Sequence, residues 1–125
     1  MAKRKIKYQI IQLVVTAAGN EISKSADTDK LYQKVTGIHV SATDAKGLTN
    51  SVFNKFDINS EEIYCVGFEA KKLSPENVAF SELWDRDIDE PAANSPVSLK
   101  YKDGAAAGVT YPYTVNVYLR LENKD

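Results

Sequence analysis

Acidic residues fall close together in Asp85-Arg-Asp-Ile-Asp-Glu90, and this is where the 125-residue chain comes nearest to a recognisable chemical motif. Asp85, Asp87 and Asp89 have the spacing with which a calcium loop begins, where hard carboxylate oxygens converge on a hard cation. The pattern then departs from such a loop. The sixth position should be glycine and is Glu90, and the twelfth should be a bidentate glutamate and is Pro96. The segment therefore reads as a solvated acidic loop, and no metal is expected in it. A second acidic pair, Asp27-Thr-Asp29, reads as a loop or cap. Nucleophilic chemistry would fall to Cys65, the only cysteine, with His39, the only histidine, as its base. Cys65 lies in the apolar run Ile63-Tyr-Cys-Val-Gly-Phe68 and reads as a buried, inert thiol. His39, between Ile38 and Val40, reads as a strand residue on a polar face.

Other chemistries lack their residues. One cysteine excludes an intrachain disulfide, and one histidine leaves a cupin-type metal site without its ligand cluster. The sequence has no phosphate loop and no zinc spacing, and its acids form no catalytic pair distinct from ordinary surface acids. The chain reads as non-enzymatic and without a cofactor. Trp84 and seven tyrosines could supply stacking surfaces for a sugar, although aromatic residues in strands are mostly packing.

Net charge is −1, so the whole chain has no basic footprint for nucleic acid. The charge is uneven. Lys3, Arg4, Lys5 and Lys7 crowd the start, leaving 12 basic against 17 acidic residues elsewhere. Such a cluster can attract phosphates, yet lysines on an edge strand also guard against sheet-to-sheet aggregation. Residues 1–7, extending to Tyr8, are read as a basic assembly arm. The basic start followed by Tyr8–Val15 imitates an export signal, but two glutamines interrupt a short apolar run and the alternation suits a strand. No stretch is long enough to span a membrane as a helix.

The elements that must position these residues are strands. In Tyr111–Glu122, Tyr111, Tyr113, Val115, Val117, Leu119 and Leu121 share one parity while Pro112, Thr114, Asn116, Arg120 and Glu122 share the other. Successive strand side chains point to opposite faces, so this is a long strand with one buried face. The first strand changes parity, from Ile6, Tyr8 and Ile10 to Ile11, Leu13, Val15 and Ala17, which predicts a β-bulge near Ile10–Ile11 or a bend between two sheets. Leu31–Ala42 slips between Val35 and Ile38, with Gly37 at the slip. Further strands are expected around Asn50–Ile58, Glu62–Lys72 and Val97–Lys102. Residues 20–30 are polar and read as loop, and 85–96 as an acidic loop. Asp103–Gly108 is expected to join hairpin neighbours. Ser74-Pro75-Glu76 supplies an N-cap, a first-turn proline and an early acid, predicting one short helix over 75–84.

Six or seven short strands with little helix predict one domain, residues 1–125, folded as an all-β antiparallel β-sandwich with jelly-roll topology preferred. The segments Asp29–Ser41 and Phe56–Leu73, with the Tyr111–Leu121 strand, resemble small jelly-roll virion proteins of bacteriophages, among them auxiliary head proteins of phages infecting Bacteroidota. The resemblance implies a virion location and a structural role, with other virion proteins or further copies of the chain as partners in a symmetric assembly. It brings no catalytic residues. Contact candidates are Lys3, Arg4, Lys5, Lys7, Asp27, Asp29, Trp84, Asp85, Asp87 and Asp89. The competing reading is a carbohydrate- or surface-binding sandwich module centred on Trp84.

Overall fold

The computed structural model describes residues 6–75, 84–85 and 88–123. These residues build two antiparallel sheets packed as a β-sandwich. The four-stranded sheet has the order β1 (Ile6–Val15), β9 (Tyr113–Glu122), β3 (Lys34–Ala42), β7 (Glu90–Pro91). In the five-stranded sheet, β2 (Glu21–Asp27), β8 (Pro96–Lys102), β4 (Val52–Ile58) and β5 (Glu61–Glu62) follow one another, and β6 (Phe68–Glu69) pairs with the other end of β4. From β1 to β4, and again from β7 to β9, each strand lies in the sheet opposite its predecessor. That alternation is jelly-roll connectivity.

β9 forms as its parity predicts. Tyr113, Val115, Val117, Leu119 and Leu121 are buried, and the strand sits centrally between β1 and β3. The irregularity expected at Gly37 is present, because the β3–β9 register shifts between Val35 and Gly37 and moves the buried set from Val35 to Ile38 and Val40. Thr36 is the extra residue. Between β4 and β5, Asn59 and Ser60 take φ of 55° and 65°, the double left-handed geometry of a tight hairpin turn. Phe53 packs edge-on against Phe56 and Tyr101 at 5.1 and 5.4 Å, and Phe56 against Tyr64 at 5.0 Å, filling the space between the sheets.

Four expectations are corrected. β1 has no bulge, since its pairing with β9 runs unbroken from Ile6↔Glu122 to Val15↔Tyr113. Its odd residues Ile11, Leu13 and Val15 face the core throughout, so Tyr8 and Ile10 lie on the outside. Residues 21–27 are a strand, not loop, paired in full with β8. This edge strand offers only Ile22 and Ala26 to the core, too few for an apolar pattern to register. β8 and β9 are not hairpin neighbours but belong to different sheets. The connection between them exceeds the about two to five residues of a tight hairpin and carries the chain across the sandwich. Within the acidic stretch 85–96, Glu90–Pro91 pairs with Lys34–Val35 as a short strand.

The strand expected over Glu62–Lys72 is broken into β5, β6 and a 3-10 turn over Ala70–Leu73. Counting these short pieces, the described residues form nine strands. The helix expected over 75–84 falls on residues 76–83, which lie outside the described residues.

Candidate interaction surface

Side chains of even-numbered β1 and β9 residues point away from the core, and in the four-stranded sheet they meet alternate residues of β3. The register lays Tyr8 beside Arg120 and Gly37, and Ile10 beside Tyr118 and His39. The next rows bring Gln12 to Asn116 and Ser41, and Val14 to Thr114. Trp84 comes in over the first two rows. Its ring stacks on Tyr8 at 5.2 Å, tilts against His39 at 5.7 Å and meets Tyr118 edge-on at 6.3 Å. A Cβ on Gly37 would lie 3.5 Å from the Trp84 ring and 3.1 Å from Arg120 Cβ, so glycine lets both approach the sheet. Arg120 is buried there. Its Nη1 donates to Thr36 Oγ1 at 2.7 Å and to Glu122 Oε1 at 2.8 Å.

The β1 margin of this face stays partly open. Tyr8, Ile10 and Val14 are 41%, 50% and 51% exposed, and all three lie on β1, an edge strand. Apolar side chains gathered along an outer edge have not been withdrawn from water, which makes this edge the candidate contact surface.

The charged candidates do not converge on one site. Lys7 and Asp29 do meet, in an ion pair that raises the lysine above its ordinary value and lowers the carboxyl, chiefly through their mutual hydrogen bond. Asp29 also caps its own turn, accepting from Leu31 N–H at 2.8 Å, as a loop or cap role requires. Lys7 is therefore part of β1 and not of a separate arm, as are Ile6 and Tyr8. The main chain holds them because β9 supplies a continuous pairing partner. The backbone carbonyl of Asp27 accepts from Gln9 Nε2 at 3.0 Å, fastening the end of β2 to β1. Asp85 accepts from the Tyr64 hydroxyl at 2.5 Å, and its backbone bridges Ile38. Asp89 pairs instead with Lys34 at 2.9 Å. Lys3, Arg4, Lys5 and Asp87 lie outside the described residues.

Trp84 is only 9% exposed, so it anchors the surface but presents no open ring. Cys65 is exposed, contrary to the buried thiol expected, because it lies in the connection between β5 and β6 and not in a strand of the core. It lies along the five-stranded sheet, whereas His39 is on the outer face of the other. Among the described residues, no three of the His, Cys, Asp and Glu side chains gather as a metal site would require.

One polar cluster escaped the sequence reading. Asp103, 2% exposed, accepts from the Tyr113 hydroxyl at 2.5 Å and the Tyr111 hydroxyl at 2.6 Å. It also accepts from the N–H groups of Gly19 at 2.9 Å and Ala105 at 3.0 Å. Tyr101 and Tyr113 share a hydroxyl contact at 3.0 Å; Tyr101 donates toward Gly47 O at 3.1 Å, and the Tyr113 hydroxyl, whose proton goes to Asp103, lies at the same distance from it. Burial alone would push the Asp103 carboxyl up, but its four donors outweigh it and hold the group below the ordinary range. Burial and the Asp103 contact push Tyr113 well above a normal phenol. The alternation Tyr101-x-Asp103 and Tyr111-x-Tyr113 was the available signal, since residues two apart share a strand face. The cluster ties three loops together at one end of the sandwich and is structural.

No family model matches the sequence, and neither a curated protein nor a solved structure matches it.

Proposed function

We propose that this protein is a non-enzymatic structural component of a viral particle, joined to other virion proteins or to further copies of itself through the outer face of β1. The observation that carries the reading is the row Tyr8, Ile10 and Val14, left open on the long edge strand of a jelly roll. Jelly rolls serve as capsid domains, but they serve equally as lectin and cupin folds, so fold analogy supports the reading only in company with that surface. Edge strands associate by strand addition or by burying a face, and either needs apolar contact in the interior of the interface. A sugar-binding reading would require an open ring face at Trp84, whose ring is covered by Tyr8, His39 and Tyr118.

The test is absolute mass by light scattering across a concentration series, for the wild type and for Ile10→Asp/Val14→Asp. The wild type should form a discrete closed oligomer or bind isolated capsomers, and the double variant should do neither. Both substitutions are at exposed positions, so folding stability should change by within about 0.5 kcal/mol per site. A wild type that stays monomeric and ignores capsomers, or a double variant that assembles normally, would overturn the proposal.

A further inference from the structure

The outer face of the five-stranded sheet is chemically unlike the β1 surface. Three strands there enclose a shallow cavity of about 380 Å³ lined by Ser23, Lys24, Ser25, Lys55, Ser98 and Lys100. The register explains the convergence. Lys100 has Ser23 on one side and Lys55 on the other, and Ser98 has Ser25 and Asp57. Leu99 and Tyr101 point inward, so Ser98 and Lys100 must point outward. Lys24 borders the cavity on the edge strand β2, but it lies opposite Leu99 and carries the parity of Ile22 and Ala26, so its side chain leaves the sheet on the other face.

Like charges set directly opposite across strands destabilise a sheet, and Lys55 and Lys100 are such a pair. Little nearby charge relieves them. Lys55 meets Asp57 only at 3.9 Å, and among the described residues Lys24 and Lys100 form no ion pair. The cavity thus offers two ammonium groups, those of Lys55 and Lys100, and three hydroxyl donors with no carboxylate in its lining. Planar carboxylates are best met by the fork of an arginine, whereas lysines act as point charges suited to phosphate.

We propose that this groove binds a tetrahedral oxyanion ester, phosphate or sulfate, through Lys55 and Lys100, with the serine hydroxyls as neutral donors. Binding relieves the Lys55–Lys100 repulsion and stabilises the folded chain by mass action. The site is independent of the β1 surface and stands or falls separately from the assembly role.

The experiment follows amide shifts of the full chain while inorganic tripolyphosphate or a heparin-derived tetrasaccharide is added at low salt, with sodium chloride of matched ionic strength as the control. Saturable shifts confined to Ser23, Ser25, Lys55, Ser98 and Lys100 are expected from at least one of the two, and the tighter one identifies phosphate or sulfate as the source. Lys100→Gln should weaken that binding roughly fivefold, the upper range for an exposed ion pair. It should not lower the melting temperature, because it removes a repelling charge, and Lys100→Arg should retain most of the affinity. Shifts reproduced by chloride, shifts spread over all surface lysines, or binding unchanged in Lys100→Gln would each overturn the proposal.

Discussion

Asp103→Asn would replace a buried carboxylate by a neutral group of the same shape, at the point where three loops are fastened. Hydrogen bonds to a charged group contribute about 1.5–3 kcal/mol each, so four of them set a high ceiling. The net loss is smaller. Gly19, Ala105 and Tyr111 are exposed or half-buried, so water can satisfy the donors they lose. Tyr113, which is buried, keeps Gly47 O at 3.1 Å as a second acceptor. Asparagine also retains one carbonyl oxygen. The expected destabilisation is therefore about 2 kcal/mol, and about 3–4 kcal/mol for Asp103→Ala, which leaves every donor without its acceptor. For a domain of this size, 2 kcal/mol lowers the melting temperature by about 6–12 °C, measured by circular dichroism at pH 7.

The pH dependence separates a charge effect from a packing effect. The folded Asp103 carboxyl lies below its ordinary value of 3.8. Its contribution is complete above the unfolded pKa and is lost as pH falls through the lower folded value. The gap between wild type and Asp103→Asn should then be widest near neutrality and close in acid. An unchanged gap from neutral to strongly acid conditions, or an asparagine variant as stable as the wild type, would refute the reasoning.

Two further outcomes are expected. Gly104→Ala would place a Cβ 2.4 Å from the carbonyl carbon of Asn50 and 2.5 Å from its oxygen, a clash with backbone that no rotamer relieves. It should cost about 3 kcal/mol in chemical denaturation, and a variant within about 0.5 kcal/mol of wild type would contradict the packing described at that loop. Cys65 should react with one equivalent of a disulfide reagent in the native protein, since its thiol is exposed, and a reaction that waits for unfolding would contradict that placement.

How much was legible depended on how much of each strand touches the core. β9 was plain because five alternating residues are buried on one face and mostly polar ones lie on the other. The slip in β3 was legible for the same reason, with Val35 and Ile38 both fully buried on either side of it. β1 misled because apolar residues occupy both its faces, and only one of those faces is the core. Lys7 and Gln9 carry the inward parity of Ile11, but being polar they imitated an outer face and so suggested a break that the pairing does not contain. β2 gave almost no signal, since an edge strand with two small contacts to the core resembles a polar loop. The Asp103 cluster was legible only in its local part, Tyr101 to Tyr113, because Gly19 and Gly47 come to it from distant loops. The lysine groove joins residues of three strands far apart in sequence, brought together by strand order and not by spacing.

The position of β9 between β1 and β3 also has a consequence in time. Among the described residues it is the last strand to leave the ribosome, yet it is the strand on which the four-stranded sheet depends. Until Tyr113–Glu122 is available, β1 and β3 have no common partner, and Ile11, Leu13, Ile38 and Val40 cannot all be covered. The sandwich should therefore close only once β9 has emerged, and until then nascent chains stay exposed to chaperones and to one another. A chain stalled before residue 113 would be a half-formed sandwich with two unsatisfied strand edges, which makes the arrival of β9 the step that commits the molecule to its folded form.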